Sequence, residues 1–384
     1  MNFGLYIHWP FCIKKCPYCD FNSYAFKYEE NIWIDGILKE IKTQAAVFKD
    51  YKLSTIFFGG GTPSLISPHH IENIIETAQN LWQKEDQKIE ITIEINPSSI
   101  ETYKLEQFLK AGINRFSIGM QSLDDEDLKF LGRIHNAQEA IQILKEAALI
   151  CNNVSADFIY ALPNDSLEIW KYKLEKILKL LHETKINHTS LYQLVIEENT
   201  VFFEDVAKKK WHPMNDDLQS QLYQYTQEQL EKIGWEFYEI SNASLKTVNN
   251  NWQCKHNLIY WRYKNYLGIG PGAHSRMEID NKKIKFNNFK TPNRWLNEAN
   301  NSYMAKEDYT ILTNQEIFKE KLLMGLRLKE GVKIMNSEYE FFDEYMLKVL
   351  EENQIIKLEN NLLKIEKNHI LKLNSIICTI IKPI

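Results

Sequence analysis

The chain lacks three features that would each assign it to a large class of proteins. It has no run of about 20 apolar residues, the length needed to cross a bilayer, so we expect no transmembrane helix. Its N-terminus has no basic segment leading into an apolar core, which argues against a signal peptide. Its formal net charge of −5 leaves no overall basic surface for nucleic acid. These absences favour a cytoplasmic protein and leave peripheral membrane contact open.

Cysteine is also scarce, and its distribution is uneven. The chain has six cysteines in 384 residues, and three of them, Cys12, Cys16 and Cys19, fall in one short segment. This is not the pattern of a secreted protein held together by disulfides, so we expect a reducing compartment. The length and the 44% hydrophobic content suffice for one large core or for two domains.

Strand and helix patterns alternate from the N-terminus to about residue 200. We predict strands at 5–9, 55–58, 89–95, 115–119, 154–159 and 188–194, and helices at 29–48, 68–82, 101–111, 137–150 and 167–182. Six such units in succession imply an α/β fold in which helices cover a parallel sheet. Sheets of this kind place their functional residues at the C-terminal ends of the strands, where the polar and glycine motifs of this chain fall.

The pattern changes after about residue 200. Residues 242–252 are rich in asparagine and predict a loop, and 268–272 predict a tight turn. Helices at 315–328 and 339–351 lead into 355–365, which predicts a hairpin that turns at Asn360-Asn361. This order predicts a small winged-helix-like α+β appendage. We therefore divide the chain into a core domain (1–235), a connecting region (236–310) and a C-terminal domain (311–384).

The three clustered cysteines have the spacing Cys-x3-Cys-x2-Cys, and no fourth cysteine follows them closely. Three thiolates can hold three irons of a cubane 4Fe–4S cluster and leave the fourth iron open for another ligand. An open metal position is typical of a functional site. A zinc site is the alternative; its fourth ligand would be a histidine or a distant cysteine, namely Cys151, Cys254 or Cys378.

The cysteine motif, with Tyr18 before its last cysteine, resembles that of the radical S-adenosylmethionine (SAM) superfamily, and later motifs follow in the family's order. Gly59-Gly60-Gly61-Thr62-Pro63 follows the second predicted strand, and polar residues end the later ones. The resemblance implies a partial (β/α)6 TIM-like barrel in which Cys12, Cys16 and Cys19 hold the cluster and its open iron binds SAM. It assigns the SAM pocket to Tyr6, Tyr18, Gly60, Gly61, Thr62, Glu94, Gln121, Arg133 and Asp157. The glycines allow close backbone approach to the cofactor.

Within the superfamily, His8-Trp9-Pro10-Phe11-Cys12 and the segment 157–163 are similar to the oxygen-independent coproporphyrinogen III oxidase group. That group includes true oxidases and heme chaperones, and three features favour the chaperones. Phe21 stands where the oxidases have a further cysteine. The chain starts almost directly on its first strand, without their N-terminal extension. Residues 256–261 form the His-Asn-x-x-Tyr-Trp motif, which marks the chaperones and is tied to heme binding.

The resemblance makes His256 the first candidate for a heme ligand. An imidazole can bind heme iron, and Tyr260 and Trp261 could cover the macrocycle. The alternative is a core histidine packed on these aromatic residues. Cys254 is a further candidate ligand for the same iron. The glycines of 268–275 are also family-like and suit backbone contact near adenosine, whereas no chemistry is assigned to His274.

We therefore expect a heme chaperone that binds heme and SAM and delivers heme to acceptor proteins, with respiratory enzymes as the expected acceptors. Heme transfer needs no hydrogen abstraction, so it stays open whether the protein is an enzyme. One rival is oxidative decarboxylation of coproporphyrinogen III. Another is a nucleic-acid-binding protein with a zinc-stabilised N-terminus, although we expect no nucleic-acid partner. A homodimer is left open.

Overall fold

The computed structural model describes residues 1–82, 88–97, 104–247, 251–301 and 306–382. Within these ranges no helix combines the length and the apolar character needed to cross a membrane. The N-terminal half alternates strands with helices. The strands are β1 (Asn2–Trp9), β2 (Lys52–Gly60), β3 (Glu90–Ile95), β4 (Arg115–Gln121), β5 (Val154–Tyr160) and β6 (His188–Gln193). The helices are α1 (Glu30–Val47), α2 (Pro68–Trp82), α3 (Leu105–Lys110), α4 (Asp125–Phe130), α5 (Ala137–Ile150) and α6 (Leu167–Thr184).

Strands β1 to β6 are parallel neighbours in sequence order. The described sheet continues beyond β1 on one side and beyond β6 on the other, and it stays open. Its strand order is β12-β11-β10-β9-β1-β2-β3-β4-β5-β6-β8-β7. The added strands are β7 (Trp235–Phe237), β8 (Asn242–Leu245), β9 (Asn265–Ile269), β10 (His274–Ile279), β11 (Lys282–Asn288) and β12 (Lys306–Ile311). The predicted α/β fold with a partial TIM-like barrel is confirmed.

Alternation along the strands separates the core from the site. Leu5, Ile7 and Trp9 of β1 are fully buried in the main hydrophobic core, which they share with residues of the surrounding helices. Tyr6 and His8, which point to the opposite face, line a cavity instead. The parallel strands therefore place apolar side chains beneath the helices and polar side chains inside the partial barrel.

Helices α7 (Val201–Ala207), α8 (Asp216–Lys232), α9 (Lys255–Trp261) and α10 (Pro292–Asn301) lie in the second half of the chain. Helix α9 contains the His-Asn-x-x-Tyr-Trp motif and contacts β1, β2 and β9. A methyl group at Gly4 of β1 would lie only 2.8 Å from Ile259 Cδ1 and 3.2 Å from His256 Cε1. The absence of a side chain at Gly4 therefore lets α9 pack closely against the strands of the barrel.

The C-terminal part has its own hydrophobic core around Phe318, Leu322 and Ile377. It contains α11 (Asn314–Gly325), β13 (Val332–Lys333), a 3-10 helix (Asn336–Phe341), α12 (Glu344–Glu352), β14 (Ile356–Glu359), β15 (Leu362–Ile365), a second 3-10 helix (Lys367–Lys372) and α13 (Leu373–Ile380). The described strands form an antiparallel sheet in the order β13-β15-β14. The winged-helix-like appendage is confirmed, while the exact domain boundaries stay predictions.

The predicted hairpin is also confirmed. Strands β14 and β15 pair from Ile356↔Ile365 to Glu359↔Leu362. Asn360 and Asn361 have φ angles of 52° and 62°. Positive φ at both central residues is the geometry that a two-residue hairpin turn requires and that asparagine tolerates.

Two element predictions were wrong. The predicted loop 242–252 begins with strand β8, because Asn242 to Ser244 pair with β6 and are buried there; residues 248–250 of that segment lie outside the described ranges. The predicted helix 339–351 is two elements, since Asp343 interrupts it and caps α12 by accepting a hydrogen bond from Met346 N. The predicted helix 101–111 is described only from Lys104 onward, where α3 confirms it.

Candidate functional site

The three clustered cysteines lie in the loop between β1 and α1, which backbone hydrogen bonds hold at several points. Cys12 N donates to Tyr24 O at 2.9 Å, and Cys19 N donates to Cys16 O at 3.1 Å. Phe202 N, at the start of α7, donates to Pro17 O at 3.0 Å. The three thiols line one cavity of about 550 Å³, the cluster cavity, at the C-terminal ends of the strands.

The chemistry of these thiols fits a shared iron–sulfur centre. Cys12, Cys16 and Cys19 are free and partly exposed, whereas Cys151 and Cys254 are buried. Burial raises the pKa of Cys12 and of Cys19. The negative charge of the neighbouring thiolates raises these pKa values further. Bound iron would offset this cost by stabilising the thiolates. Among the described residues, the three cysteines included, no group of three or more His, Cys, Asp or Glu is arranged around a single metal ion.

The glycine-rich turn after β2 lies directly against the cysteine loop. Gly61 N donates to Trp9 O at 2.7 Å and Thr62 N donates to Phe11 O at 2.8 Å. A Cβ atom at Gly60, whose φ is +108°, would lie 2.6 Å from the His8 ring, and one at Gly61 would lie 2.7 Å from Phe11 O. The close approach of this turn to the cysteine loop thus requires both glycines. Gly60, Gly61 and Thr62 also line the cluster cavity.

Two carboxyl groups face the cluster cavity from neighbouring strands. Glu94 of β3 accepts a hydrogen bond from Gly60 N at 3.2 Å. Burial, together with the negative charge of Asp157, raises the pKa of Glu94 to about 8. The side chain is therefore mostly protonated at pH 7 and can donate one hydrogen bond. A cationic group bound beside it would lower this pKa and restore the carboxylate.

Asp157 of β5 is surrounded by hydroxyl donors from three strands. Ser117, Ser155 and Ser190 donate to its carboxylate at 2.7, 2.7 and 2.6 Å. Arg115, which is 1% exposed, lies behind this group in the interior of the barrel. Burial alone would lower the pKa of Arg115, but nearby anionic groups that include Asp157 raise it, so this guanidinium stays charged. Asp157 is therefore surrounded by hydroxyl donors, with a buried cation nearby.

The basic residue predicted for the SAM pocket reaches the cysteine loop. Arg133 Nη1 lies 3.5 Å from Cys16 Sγ, and Nη2 donates to Asn96 Oδ1 at 2.5 Å. Tyr18 lies beside both Arg133 and Cys16. Gln121 ends β4 with a φ of 64° and lines the same cavity. Arg133 therefore joins the loop that would hold the cluster to the end of β3.

The structure brings most of the predicted site together. The cluster cavity is lined by Cys12, Cys16, Cys19, Tyr18, Gly60, Gly61, Thr62, Glu94, Gln121, Arg133 and Asp157. Tyr6 is different, because it lines an adjoining cavity of about 600 Å³ with His8, Tyr260, Tyr266 and His274, which we call the side cavity. Cys19, Phe21, Gly60 and Glu94 line both cavities and so lie between them.

His256 does not line either cavity. It is 1% exposed, its Nδ1 lies 2.7 Å from Thr55 Oγ1, and its Nε2 lies 2.9 Å from Tyr260 Oη. Burial, and then the charge of Arg115, lowers the pKa of His256 to about 3. Both ring nitrogens are thus engaged by hydroxyl groups in a neutral imidazole. Ligation of heme iron by His256 stays a prediction, and it requires these two contacts to break.

The neighbouring candidate thiol is equally enclosed. Cys254 is 1% exposed, and its Sγ lies 3.7 Å from Glu90 Oε1. Burial raises the pKa of Cys254 to about 12, which keeps it protonated. Trp261 is covered by the guanidinium of Arg327, 4.4 Å from the ring. Cys254 thus packs against the barrel strands and Trp261 against the C-terminal part in this conformation.

Several site residues were missed by the sequence analysis. They are the cavity-lining residues Asn96, Arg115, Ser117, Ser190, Asn242 and Asn257, together with Asn22, which joins the cysteine loop to distant segments. Ser117 lies two residues from Arg115 and two from Gly119 on β4, so all three face the same side of the sheet. Side chains two positions apart in a strand point to the same face of the sheet, so the predicted site residues at the strand ends would have indicated that these serines face the site. No local pattern indicates the contacts of Asn22.

The chain is similar to several known proteins. Residues 6–196 match the Radical SAM superfamily. The chain is 36% identical over 335 residues to the mitochondrial radical S-adenosyl methionine domain-containing protein 1 of Danio rerio, covering 86% of this chain and 73% of that protein. It is 39% identical over 303 residues to the heme chaperone HemW of Haemophilus influenzae, covering 76% and 75%.

Among solved structures, the fold is similar to that of coproporphyrinogen III oxidase HemN from Escherichia coli. The TM-score is 0.81 at 19% identity, over 98% of this chain and 89% of that chain. At this identity the similarity concerns the fold alone. Together with the sequence relatives and the arrangement of the three thiols, it leads to one conclusion. This chain belongs to the radical SAM superfamily, in the group that contains the HemN oxidases and the HemW heme chaperones.

Proposed function

We propose that this protein is a radical SAM-type heme chaperone, which binds heme and SAM and delivers heme to acceptor proteins, with respiratory enzymes as the expected acceptors. One observation carries the proposal: three thiols and all the predicted SAM residues except Tyr6 line one cavity of a chain that is 39% identical over 303 residues to a heme chaperone. The chain also has Phe21, 59% exposed at the mouth of that cavity, where the oxidases have a further cysteine.

The residues of the cluster cavity have distinct roles in this proposal. Cys12, Cys16 and Cys19 would hold a 4Fe–4S cluster, which would supply one-electron chemistry to SAM bound at its open iron. Arg133 places a positive charge beside the Cys16 thiolate. Glu94 and Asp157 offer two carboxyl groups to the polar parts of SAM, and the positive charge of SAM would favour the ionised form of Glu94. Heme transfer itself requires no hydrogen abstraction from a substrate.

A coproporphyrinogen III oxidase is the second candidate, because the fold is similar to that of HemN. The oxidase motif is incomplete, since Phe21 supplies no thiol. We expect no protoporphyrinogen when the cluster-loaded protein is incubated anaerobically with coproporphyrinogen III, SAM and a reductant. Formation of that product would replace the chaperone proposal with the oxidase.

The remaining partner and location predictions stay proposals. We propose a cytoplasmic protein, although the similar Danio rerio protein is mitochondrial. A homodimer and peripheral membrane association are compatible with the proposal and are not required by it. Salt-sensitive binding of DNA would favour the nucleic-acid alternative.

The test of the proposed function is anaerobic reconstitution of the full chain with iron and sulfide, followed by titration with hemin. We expect iron and sulfide in a cubane cluster, together with heme-type absorbance. Cys12→Ala, Cys16→Ala and Cys19→Ala should each lose the cluster, because a missing thiolate leaves one more iron without a protein ligand. Cys378→Ala is the matched control, since Cys378 is an exposed cysteine of the C-terminal part. Zinc in place of iron and sulfide, or the absence of heme binding, would overturn the proposal.

A further inference from the structure

The side cavity has the size and the lining of a ligand site. It measures about 600 Å³, within the range of roughly 300–1,000 Å³ that is usual for small-molecule pockets. Tyr6, Tyr260 and Tyr266 contribute to its lining from the barrel strands and from α9. The cysteine loop around residues 19–24 and the turn before β10 also line it. A ligand here would lie beside Cys19, one of the three proposed cluster ligands.

Two histidines line the side cavity, and their states differ. The ring of His8 is engaged on both sides, with Nδ1 3.0 Å from Tyr6 Oη and Nε2 2.9 Å from Asn22 O. His274 is exposed, and no contact in the described part of the chain occupies either of its ring nitrogens with a hydrogen bond. His274 is therefore the histidine of this cavity whose nitrogens can bind a ligand without a rearrangement.

The electrostatic surroundings keep the His274 imidazole neutral. Partial burial lowers its pKa, and the positive charges of Arg276 and Lys290 lower it further, against the opposing charge of Asp308. A neutral imidazole has the free lone pair that coordination of a metal requires.

The backbone that carries His274 is held in place from several directions. The buried carboxylate of Glu40 accepts hydrogen bonds from Gly270 N at 2.9 Å and from Trp295 Nε1 at 3.0 Å. Asn22 Nδ2 donates to Pro271 O at 2.9 Å. Because these contacts fix the turn immediately before β10, His274 projects from a rigid element, which suits a ligand residue.

The rest of the lining offers aromatic rings and two lysines. Tyr260, from the His-Asn-x-x-Tyr-Trp motif, lines the cavity, and the exposed ring of Phe21 stands at its mouth. Aromatic faces of this kind cover apolar macrocycles. Lys15 and Lys290 offer positive charge to the propionates, and the acidic residues of the same lining are Asp20, Glu94 and Glu198.

We propose that His274 is the axial ligand of heme iron in the side cavity, with Tyr260 and Phe21 against the macrocycle and Lys15 and Lys290 near its propionates. The inference rests on the proposed function, since it presupposes that the chain binds heme. It moves the iron ligand from His256 to His274 and gives His256 a positioning role, because its Nε2 lies 2.9 Å from Tyr260 Oη.

The experiment is a hemin titration of the full-length, cluster-loaded protein, followed by absorbance spectroscopy. His274→Ala should weaken hemin binding by about tenfold or more and abolish the spectrum of a histidine-bound heme. Free imidazole should restore that spectrum, which it would not do if His274 served only to support the fold. His212→Ala, at another exposed histidine, is the matched control and should behave as the unchanged protein. Cluster content confirms that each variant is folded.

The possible outcomes separate the two proposals. If the unchanged protein binds hemin and His274→Ala binds it equally well, His274 is not the ligand, while the chaperone proposal stands. If His256→Gln loses the histidine-bound spectrum and His274→Ala retains it, the ligand is His256. If the unchanged protein binds no hemin, the proposed function fails, and the inference fails with it.

Discussion

The guanidinium of Arg133 lies against the thiol of Cys16, with 3.5 Å between Nη1 and Sγ. The two residues are 117 positions apart in the chain. Arg133 also donates to Asn96 Oδ1 and to Gly119 O, so it is held from the ends of β3 and β4. A positive charge is thereby fixed beside one of the three thiols that would hold the cluster.

Arg133→Ala should lower the reduction potential of the reconstituted cluster. The reduced cluster carries more negative charge, so a nearby cation stabilises it, and net charge and hydrogen bonds to the sulfurs set such potentials. We expect a decrease of about 60 mV, which corresponds to a tenfold change in a one-electron equilibrium. A redox titration followed by electron paramagnetic resonance measures it. Arg262→Ala, which removes the surface partner of Glu330, should leave the potential unchanged; an equal decrease there would contradict a local effect.

Asn22→Ala should loosen the cysteine loop from the turn before β10. Asn22 Nδ2 donates to Pro271 O and to Lys290 O, both at 2.9 Å, and each neutral hydrogen bond contributes about 1 kcal/mol. We expect the free energy of unfolding to fall by about 2 kcal/mol. Hydrogen exchange in residues 270–276 should become faster. Asn300→Ala, which removes an exposed contact to Lys39, is the control, and identical exchange in Asn22→Ala would contradict the link.

Acid should destabilise the protein through His256. The pKa of this histidine is lowered from 6.5 to about 3 on folding, mainly by burial. The stability that it contributes is therefore present above pH 6.5 and is lost as the pH falls towards 3, because the unfolded chain takes up a proton that the folded chain excludes. Between pH 7.5 and 5.5 one such histidine accounts for about 1.4 kcal/mol. His256→Gln should be less stable at pH 7.5 but show a shallower decline, measured by denaturant unfolding at each pH.

A rise in pH should destabilise the protein through Glu40. Burial raises the pKa of this carboxyl group from 4.5 to about 7, despite hydrogen bonds from Gly270, Trp295 and Asn288 that lower it. The protonated carboxyl group therefore contributes up to about 3 kcal/mol to the free energy of unfolding. This contribution is fully present below pH 4.5 and is lost as the pH rises through 7. Glu40→Gln cannot titrate, so its free energy of unfolding should lack this decline. A decline as steep as in the unchanged protein would assign the effect to another group.

Much of the fold could be predicted from local patterns. Helices α2 and α5 have the predicted bounds, because their apolar spacing and their end signals agree. Strand β8 was missed, since its short polar sequence is a strand only by pairing with β6 and β7. The predicted helix 339–351 was wrong because Asp343 caps a new helix. This cap lies within a stretch whose pattern is helical on both sides, so the sequence did not reveal the break.

The candidate site was predictable where it depends on strand order. Parallel strands end at one edge of a sheet, so Glu94, Gln121 and Asp157 meet there with the cysteine loop. The contact between Asn22 and Pro271 joins residues 249 positions apart, and no local pattern contains it. The division of the site into two adjoining cavities, with Tyr6 in the second, also arises from packing alone.

The sequence by itself determined which thiols are the candidate ligands, because Cys-x3-Cys-x2-Cys places three of them within one short loop. Only the tertiary structure decided which histidine is accessible. His256 is enclosed by Thr55, 201 positions away, while His274 ends a turn beside the same barrel and remains exposed. The physical reason is that burial of a side chain depends on distant segments packing against it. The residues next to it in the sequence do not indicate such contacts.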